Sequence, residues 1–346
     1  MDALDNSQTI WREMMLGQDE QVARQAFDAV SGEIYASTRT ALIEDSRFVR
    51  QVANDHLRAA FAPLGAPLGA SVSEPESSAS ASAPVAWAKG FGSWGSTDSD
   101  GNAATLDRST GGLLLGADRK LGNWRVGVLG GYSHSSFKAG DRDSSGRSDN
   151  YHLGLYGGTQ WERLGLRTGL GYTWHDIKTK RVVSIPGLTA SLKGSYRAGT
   201  FQAFGELAYG VDAGADIRFE LFANLAHVSL HSQSFKENGG PAALSGRSGN
   251  TDVTLFTLGL RGEYAITSGA MNARLTGMVG WRHAFGGTTP QCVHAFSAGL
   301  AFTIARAPIA KSSAVLEAGL ELNVTDKVTV GLSYVGQLAE SAKDQV

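Results

Sequence analysis

Neighbouring residues that pair a base or an acid with a nucleophile are the first places where this chain could do chemistry. His134-Ser135 and His231-Ser232 set a histidine beside a hydroxyl, and His175-Asp176 and Asp98-Ser99-Asp100 bring acids next to a base or to each other. Water activation would need acid pairs with a histidine within hydrogen-bond reach. An acyl-transfer triad would need serine, histidine and an orienting acid converging in space. No surrounding motif supports either, and such residues near loops are ordinary turn chemistry. Asp141-Arg142-Asp143 and the glycines near 239–250 lack metal-ligand spacing. The single Cys292 excludes an intrachain disulfide and a cysteine metal site, and its place in a long loop reads as an exposed or semi-exposed thiol. No enzyme, cofactor or metal is expected from these residues.

The remaining reactive set is ionic. Arg39, Glu44, Arg47 and Arg50 cluster near the N-terminus, whereas Arg125, Arg167, Glu206, Glu220, Arg261, Arg274, Arg282, Glu317 and Glu321 stand singly among small and apolar residues. The whole chain has 31 Lys+Arg against 33 Asp+Glu in 346 residues, a net charge of −2 that gives no electrostatic reason for a nucleic-acid partner. Charged residues are 18% of the chain and hydrophobic ones 42%, with 44 Gly and 8 Pro. Glycine at that density without a collagen period suggests strands that pack closely or bend.

Three segments would position those charges. Residues 1–61 read as helical, broken at Ser31-Gly32, with Ser31 placed to cap a helix at Ile34. Beyond the break, Ile34, Ala41, Leu42, Phe48, Val49, Val52 and Leu57 recur at three- and four-residue steps. A helix over 33–61 would span about 40 Å, enough to cross a membrane, yet Arg39, Glu44, Asp45, Arg47, Arg50 and Asp55 make it too polar to face lipid. Residues 62–84 are rich in Pro, Ser, Ala and Gly and read as a flexible linker. From Val85 the period becomes two. Leu164, Leu166, Thr168, Leu170, Tyr172 and Trp174 share one face, and Gly165, Arg167, Gly169, Gly171, Thr173 and His175 the other. Small residues mixed with isolated charges suit a wet lumen, and the aromatic ends of the apolar rows suit membrane interfaces.

Strands are expected near 85–95, 109–120, 123–137, 149–161, 164–178, 198–211, 215–230, 251–264, 271–284, 313–324 and 327–339. Their connections alternate: tight turns follow the even strands, and long polar loops (96–108, 138–148, 179–197, 231–250, 285–312) follow the odd ones. Short periplasmic turns alternating with long external loops belong to an outer-membrane barrel, and a soluble sandwich has no reason to sort its loops by parity. The expected fold is therefore an all-β, antiparallel transmembrane barrel, preceded by an α-helix that its residues alone leave as a solvated surface helix or half a coiled coil; its place in the pore is what the resemblance below implies. Eleven strands leave an edge open, which lipid does not tolerate. A twelfth, closing strand is therefore expected beyond Val346; the rival is an extra strand at His294–Ile304, which would break the loop parity. The first residues, Met1 to Asp5, lack a signal peptide, so an exported protein would begin in a longer precursor.

Several stretches together resemble the C-terminal translocator domain of autotransporters, type V secretion. They are Ser31 to Ser37 with Leu42 to Arg47, Trp87 to Gly92, Leu115 to Asp118, Trp281 to Phe285, Ala307 to Ala310 and Gly331 to Leu338. The resemblance covers about residues 20–346 and implies a twelve-stranded barrel in the bacterial outer membrane. It further implies partners: outer-membrane lipid, the barrel assembly machinery, and an upstream passenger domain exported to the cell surface. On this reading 1–31 is the helical end of the passenger or its junction, 32–61 the pore helix, 62–84 the linker and 85–346 the barrel. The helix charges would pair with the lumen charges, each pair worth about 0–1 kcal/mol in a wet pore. Some relatives cut the passenger free at a helix asparagine. The residues around Asn54-Asp55 do not match that motif, so Asn54 reads as a solvated helix position. The alternatives are an outer-membrane hydrolase of protease or lipase type with loop-borne catalysis, and a plain porin-like channel.

Overall fold

The computed structural model describes residues 27–61, 84–97, 104–185, 188–214, 216–268, 271–296, 299–305, 309–325, 328–339 and 342–345. Residues 1–26, 62–83 and the Asp98–Asp100 pair lie outside the described residues. Two helices come first, α1 (Glu33–Asp45) and α2 (Arg47–Phe61). The strands follow in order: β1 (Val85–Thr97), β2 (Leu106–Leu121), β3 (Trp124–Ala139), β4 (Ser144–Trp161), β5 (Leu164–Ile185), β6 (Leu188–Asp212), β7 (Ile217–Ser232) and β8 (Phe235–Lys236). The remainder are β9 (Leu244–Gly246), β10 (Gly249–Ser268), β11 (Met271–Gly286), β12 (Gln291–Phe296), β13 (Phe302–Ala305), β14 (Ser312–Thr325), β15 (Val328–Ala339) and β16 (Ala342–Gln345).

A closed antiparallel ring runs β1-β2-β3-β4-β5-β6-β7-β10-β11-β14-β15-β16 and back to β1. Eleven of these are the full strands that the alternation predicts. The twelfth position, expected beyond Val346, carries four residues: Ala342–Gln345 pair with Trp94–Thr97 of β1 and Gly336–Ala339 of β15. Four residues are too few to show a period, so the segment leaves no signature in the sequence. The apolar run near 294–304 does form strands, but outside the ring. β12 and β13 join β8 and β9 in a separate four-stranded sheet, so the loop parity stands.

Strand alternation sends the apolar rows outward. Leu113, Leu115, Leu153, Leu155, Leu170, Leu221, Leu260 and Val279 are each roughly half exposed. An apolar belt of this extent on a soluble protein would be an aggregation surface; around a barrel it is the lipid contact. Aromatic residues bound it, with Tyr132, Tyr151, Trp174 and Trp281 toward the long loops and Trp124, Trp161, Tyr209 and Tyr264 toward the short turns.

Some glycines are dictated by close approach. Trp87 stands directly opposite Gly116 across β1 and β2, and a Cβ on Gly116 would lie 2.3 Å from the indole. Gly116→Val is expected to displace Trp87 and destabilise the barrel by about 1–3 kcal/mol, the usual cost of overpacking. A Cβ on Gly205 would meet no atom within 4 Å, so Gly205→Ala is the neutral control. The temperature at which each folded barrel loses its compact migration on an unheated gel reads the difference.

Candidate functional site

Because successive side chains on a strand point to opposite faces, each sequence-adjacent dyad is split. Ser135 points inward and donates to Asp45 at 3.0 Å, while His134 points outward to Asp149 at 2.9 Å. His175 is buried between Asn150 and Thr200, whereas Asp176 is outside with Arg197 at 3.2 Å. His231 is exposed and Ser232 buried. None of the described dyads forms a catalytic constellation.

The inward charges form a different arrangement. On β5, β6, β7 and β10, Arg167 donates to Glu206 and Glu220, each at 2.7 Å, and Arg261 reaches the same two acids at 2.9 and 3.0 Å. The Arg261 guanidinium also lies 3.7 Å over the Phe222 ring. Arg125 pairs with Asp118 at 2.6 Å, and Arg274 with Glu263 at 3.6 Å. Glu321 faces Arg274 in register across β11 and β14, and Glu317 lines a lumen cavity beside Lys89 and Asp55.

The helices fill the space between these walls. Every residue from Glu33 to Glu44 is buried, so α1 is enclosed on all sides. This explains its thin apolar stripe, because its surroundings are polar. Of the four helix residues singled out from the sequence, Glu44 meets a predicted wall residue, Arg282, at 3.3 Å. Arg39 donates instead to the Gln291 carbonyl at 2.9 Å, Arg47 to Ser93 at 3.2 Å, and Arg50 to Gln202 at 3.4 Å and Ser46 at 3.0 Å. Sequence reasoning counted Asp45 and Asp55 among the helix charges but missed Glu33, His56, Arg58 and the wall residues Lys89, Asp118, Arg142 and Glu263 that complete the set. Asp55 pairs with Lys89 at 3.0 Å, Arg58 with Glu263 at 3.5 Å, His56 with Asp118, and Glu33 with Arg142 at 3.2 Å. Asp45 accepts from Thr110 at 2.7 Å. Lys89 was available to a period-two reading, since it falls between Trp87 and Phe91 on the inward face of β1.

α1 and α2 meet at Ser46, which keeps right-handed helical backbone and donates its N–H to the Leu42 carbonyl at 3.2 Å. Its hydroxyl donates to the Ile43 carbonyl at 2.6 Å, and its carbonyl accepts from Gln202 at 3.0 Å. Two expectations change here. Asn54 is buried, not solvated. The Glu44–Arg282 pair is not in a wet pore either: both residues are less than a tenth exposed. Removing one partner of such a pair costs about 3–5 kcal/mol, well above the exposed-pair value.

The β8-β9-β12-β13 sheet covers the long-loop mouth and clamps the start of α1. Tyr35 stacks on Phe235 at 3.8 Å and donates to Glu237 at 2.8 Å. Glu237 is held by Arg181 through two bonds of 2.8 Å, and both side chains are 1% exposed. Cys292 is buried in this layer rather than exposed, and burial pushes its thiol up to about 11. His294 is also buried there. Loss of water, with Arg181 adding to it, pushes its imidazole down to about 4.

Residues 86–335 match the family model of the autotransporter beta-domain. The chain belongs to the autotransporter β-domain family. Among its relatives is an extracellular serine protease of Serratia marcescens, 35% identical over 323 residues, which are 93% of this chain and 30% of that protein. The chain thus spans less than a third of the length of that relative. The fold is that of the translocator domain of the autotransporter NalP from Neisseria meningitidis (TM-score 0.68, 14% identity, 91% of this chain and 96% of that one). The beta domain of the Bordetella autotransporter BrkA is also similar (TM-score 0.55, 18% identity, 76% and 96%). This autotransporter β-domain is an outer-membrane translocator, and its lumen is occupied by its own helix.

The clamp at the mouth has a definite acid response. His294 must be neutral in the folded mouth, while in the unfolded chain it titrates near 6.5. Its contribution is therefore complete above that pH and lost as pH falls toward 4, about 2 kcal/mol being gone by pH 5. Hydrogen exchange of Gln291–Phe296 is expected to accelerate, beyond the intrinsic pH effect, between pH 7 and 5. His294→Phe should flatten that response, and an unchanged response would reject it.

Proposed function

We propose that α1 and α2 are the plug left in the translocator when export ends. On this reading residues 1–31 join the plug to a passenger at the cell surface, residues 62–84 tether it to β1 on the periplasmic side, and residues 85–346 form the translocator itself. Catalysis then belongs to the passenger and not to this domain, in keeping with the name of the Serratia relative. The lipid bilayer and the barrel assembly machinery are its partners during insertion.

The observation that carries this reading is the seat of the helix along the lumen. It runs from Tyr35 under the mouth sheet to Leu57, which would lie 3.3 Å from a Cβ on Gly158 near the short-turn end. Its side chains reach walls around the ring, including Lys89 on β1, Thr110 on β2, Gln202 on β6 and Arg282 on β11. The cavity beside α2 measures about 130 Å³, room for a few waters only. A polar helix with a wall partner for most of its charges is a resident rather than a solvated appendage.

Single-channel conductance in planar bilayers tests this. The intact chain is expected to stay closed, and deletion of residues 27–61 to open it. Glu44→Arg should raise the frequency of openings by setting two cations together, and Glu44→Arg with Arg282→Glu should restore closure. Equal conductance with and without the helix would sink the proposal.

A further inference from the structure

The outward face of β2–β6 changes character above the upper aromatic row. Tyr132, Tyr151 and Trp174 stand side by side in register. The next outward row holds His134, Asp149, Asp176 and Arg197, and its acids are already occupied. Asp149 accepts from Tyr132 at 2.7 Å and from His134 at 2.9 Å, and Asp176 accepts from Arg197 at 3.2 Å.

The two rows above are cationic. Arg147 lies directly opposite Lys178, and Lys180 directly opposite Lys193. Lys138 shares the second row, reaching it through Ser145, and Asp107 opposite Lys138 is the acid of these two rows. Asp141 and Asp143 lie in the turn above. Like charges directly opposite on neighbouring strands destabilise a sheet, and here two such pairs sit next to each other. The arrangement makes sense when an anion lies among them. These side chains frame a cleft of about 890 Å³, large enough for a phosphorylated disaccharide.

Depth identifies the anion. Lys178 lies four positions beyond Trp174, about 13 Å along the strand and about 10 Å in height at the usual barrel tilt. The cations therefore stand just outside the hydrocarbon, where lipid headgroups lie, and not at the tips of the loops. We propose that this cleft binds the phosphorylated headgroup of an outer-leaflet glycolipid, with its acyl chains lying on the apolar belt below. Arg147 offers a two-pronged donor set to phosphate, and Lys178, Lys180 and Lys193 supply point charges around it.

The full chain, reconstituted in phosphatidylcholine vesicles containing bis-phosphorylated lipid A, tests the site. Retention of that lipid after detergent extraction is read by native mass spectrometry, and the barrel's thermal midpoint is read alongside it. The wild type should retain lipid A and gain in midpoint. The variant Arg147→Gln, Lys178→Gln, Lys180→Gln, Lys193→Gln should fold, since it removes two like-charge pairs on the outer face, yet retain the lipid about tenfold less, a change of about 1.4 kcal/mol. Lipid A stripped of phosphate should not be retained. Unchanged retention by the variant, or equal retention of the dephosphorylated lipid, would overturn the proposal. So would inorganic phosphate that reproduces the midpoint gain without lipid, which would make this a free-anion site.

Discussion

Within a bilayer no water is available to satisfy a peptide group, so every N–H and C=O in the hydrocarbon must be bonded inside the protein. That demand shapes a ring in which the full strands bond their neighbours and four residues of β16 bridge the mouth ends of β1 and β15. It explains why the alternation of side chains is so regular, why loops sort by parity, and why even four residues of β16 matter, since they bridge β15 and β1 where the ring would otherwise stay parted at the mouth. Once the ring exists, its outer face is committed to lipid and its inner face must be filled by something polar.

The filling is the protein's own chain. The Arg167–Glu206–Glu220–Arg261 square neutralises one wall from within, leaving Arg282, Lys89, Asp118 and Glu263 to meet the helix. Wall and plug are thus two halves of one charge-balanced interior. Each half alone would expose buried charge without its counterpart, and this asymmetry, more than the strength of any single pair, holds the helix in place.

What could be read from the residues follows the same physics. The eleven strands were legible because lipid on one side and lumen on the other enforce contrast at every second residue. The contrast fades where the strands leave the bilayer. β5 runs on to Ile185 and β6 starts at Leu188, yet Lys178, Thr179, Lys180 and Arg181 show no alternation of hydrophobicity, so that hairpin reads as a loop. The mouth sheet was hidden because its strands are two to six residues long. Charged lumen positions were legible one at a time, but their partners were not. Whether Arg39 meets a carboxylate or the Gln291 carbonyl depends on the height and rotation of the helix in the barrel, and neither is written in local sequence.

The mouth sheet depends on a residue from the other end of the chain. Tyr35 inserts between Phe235 and His294 and bonds Glu237, 202 positions away. The loops that carry this sheet emerge from strands on opposite sides of β10, and their common core is incomplete until Tyr35 arrives. The outer surface is consequently a gauge of the helix's position. With the helix seated, the loops are pinned into a lid; with any other segment in the lumen, they lack the ring they pack on. The cell-facing shape of the barrel therefore carries information about an event inside it, and a probe that never enters the pore could tell a finished translocator from one still at work.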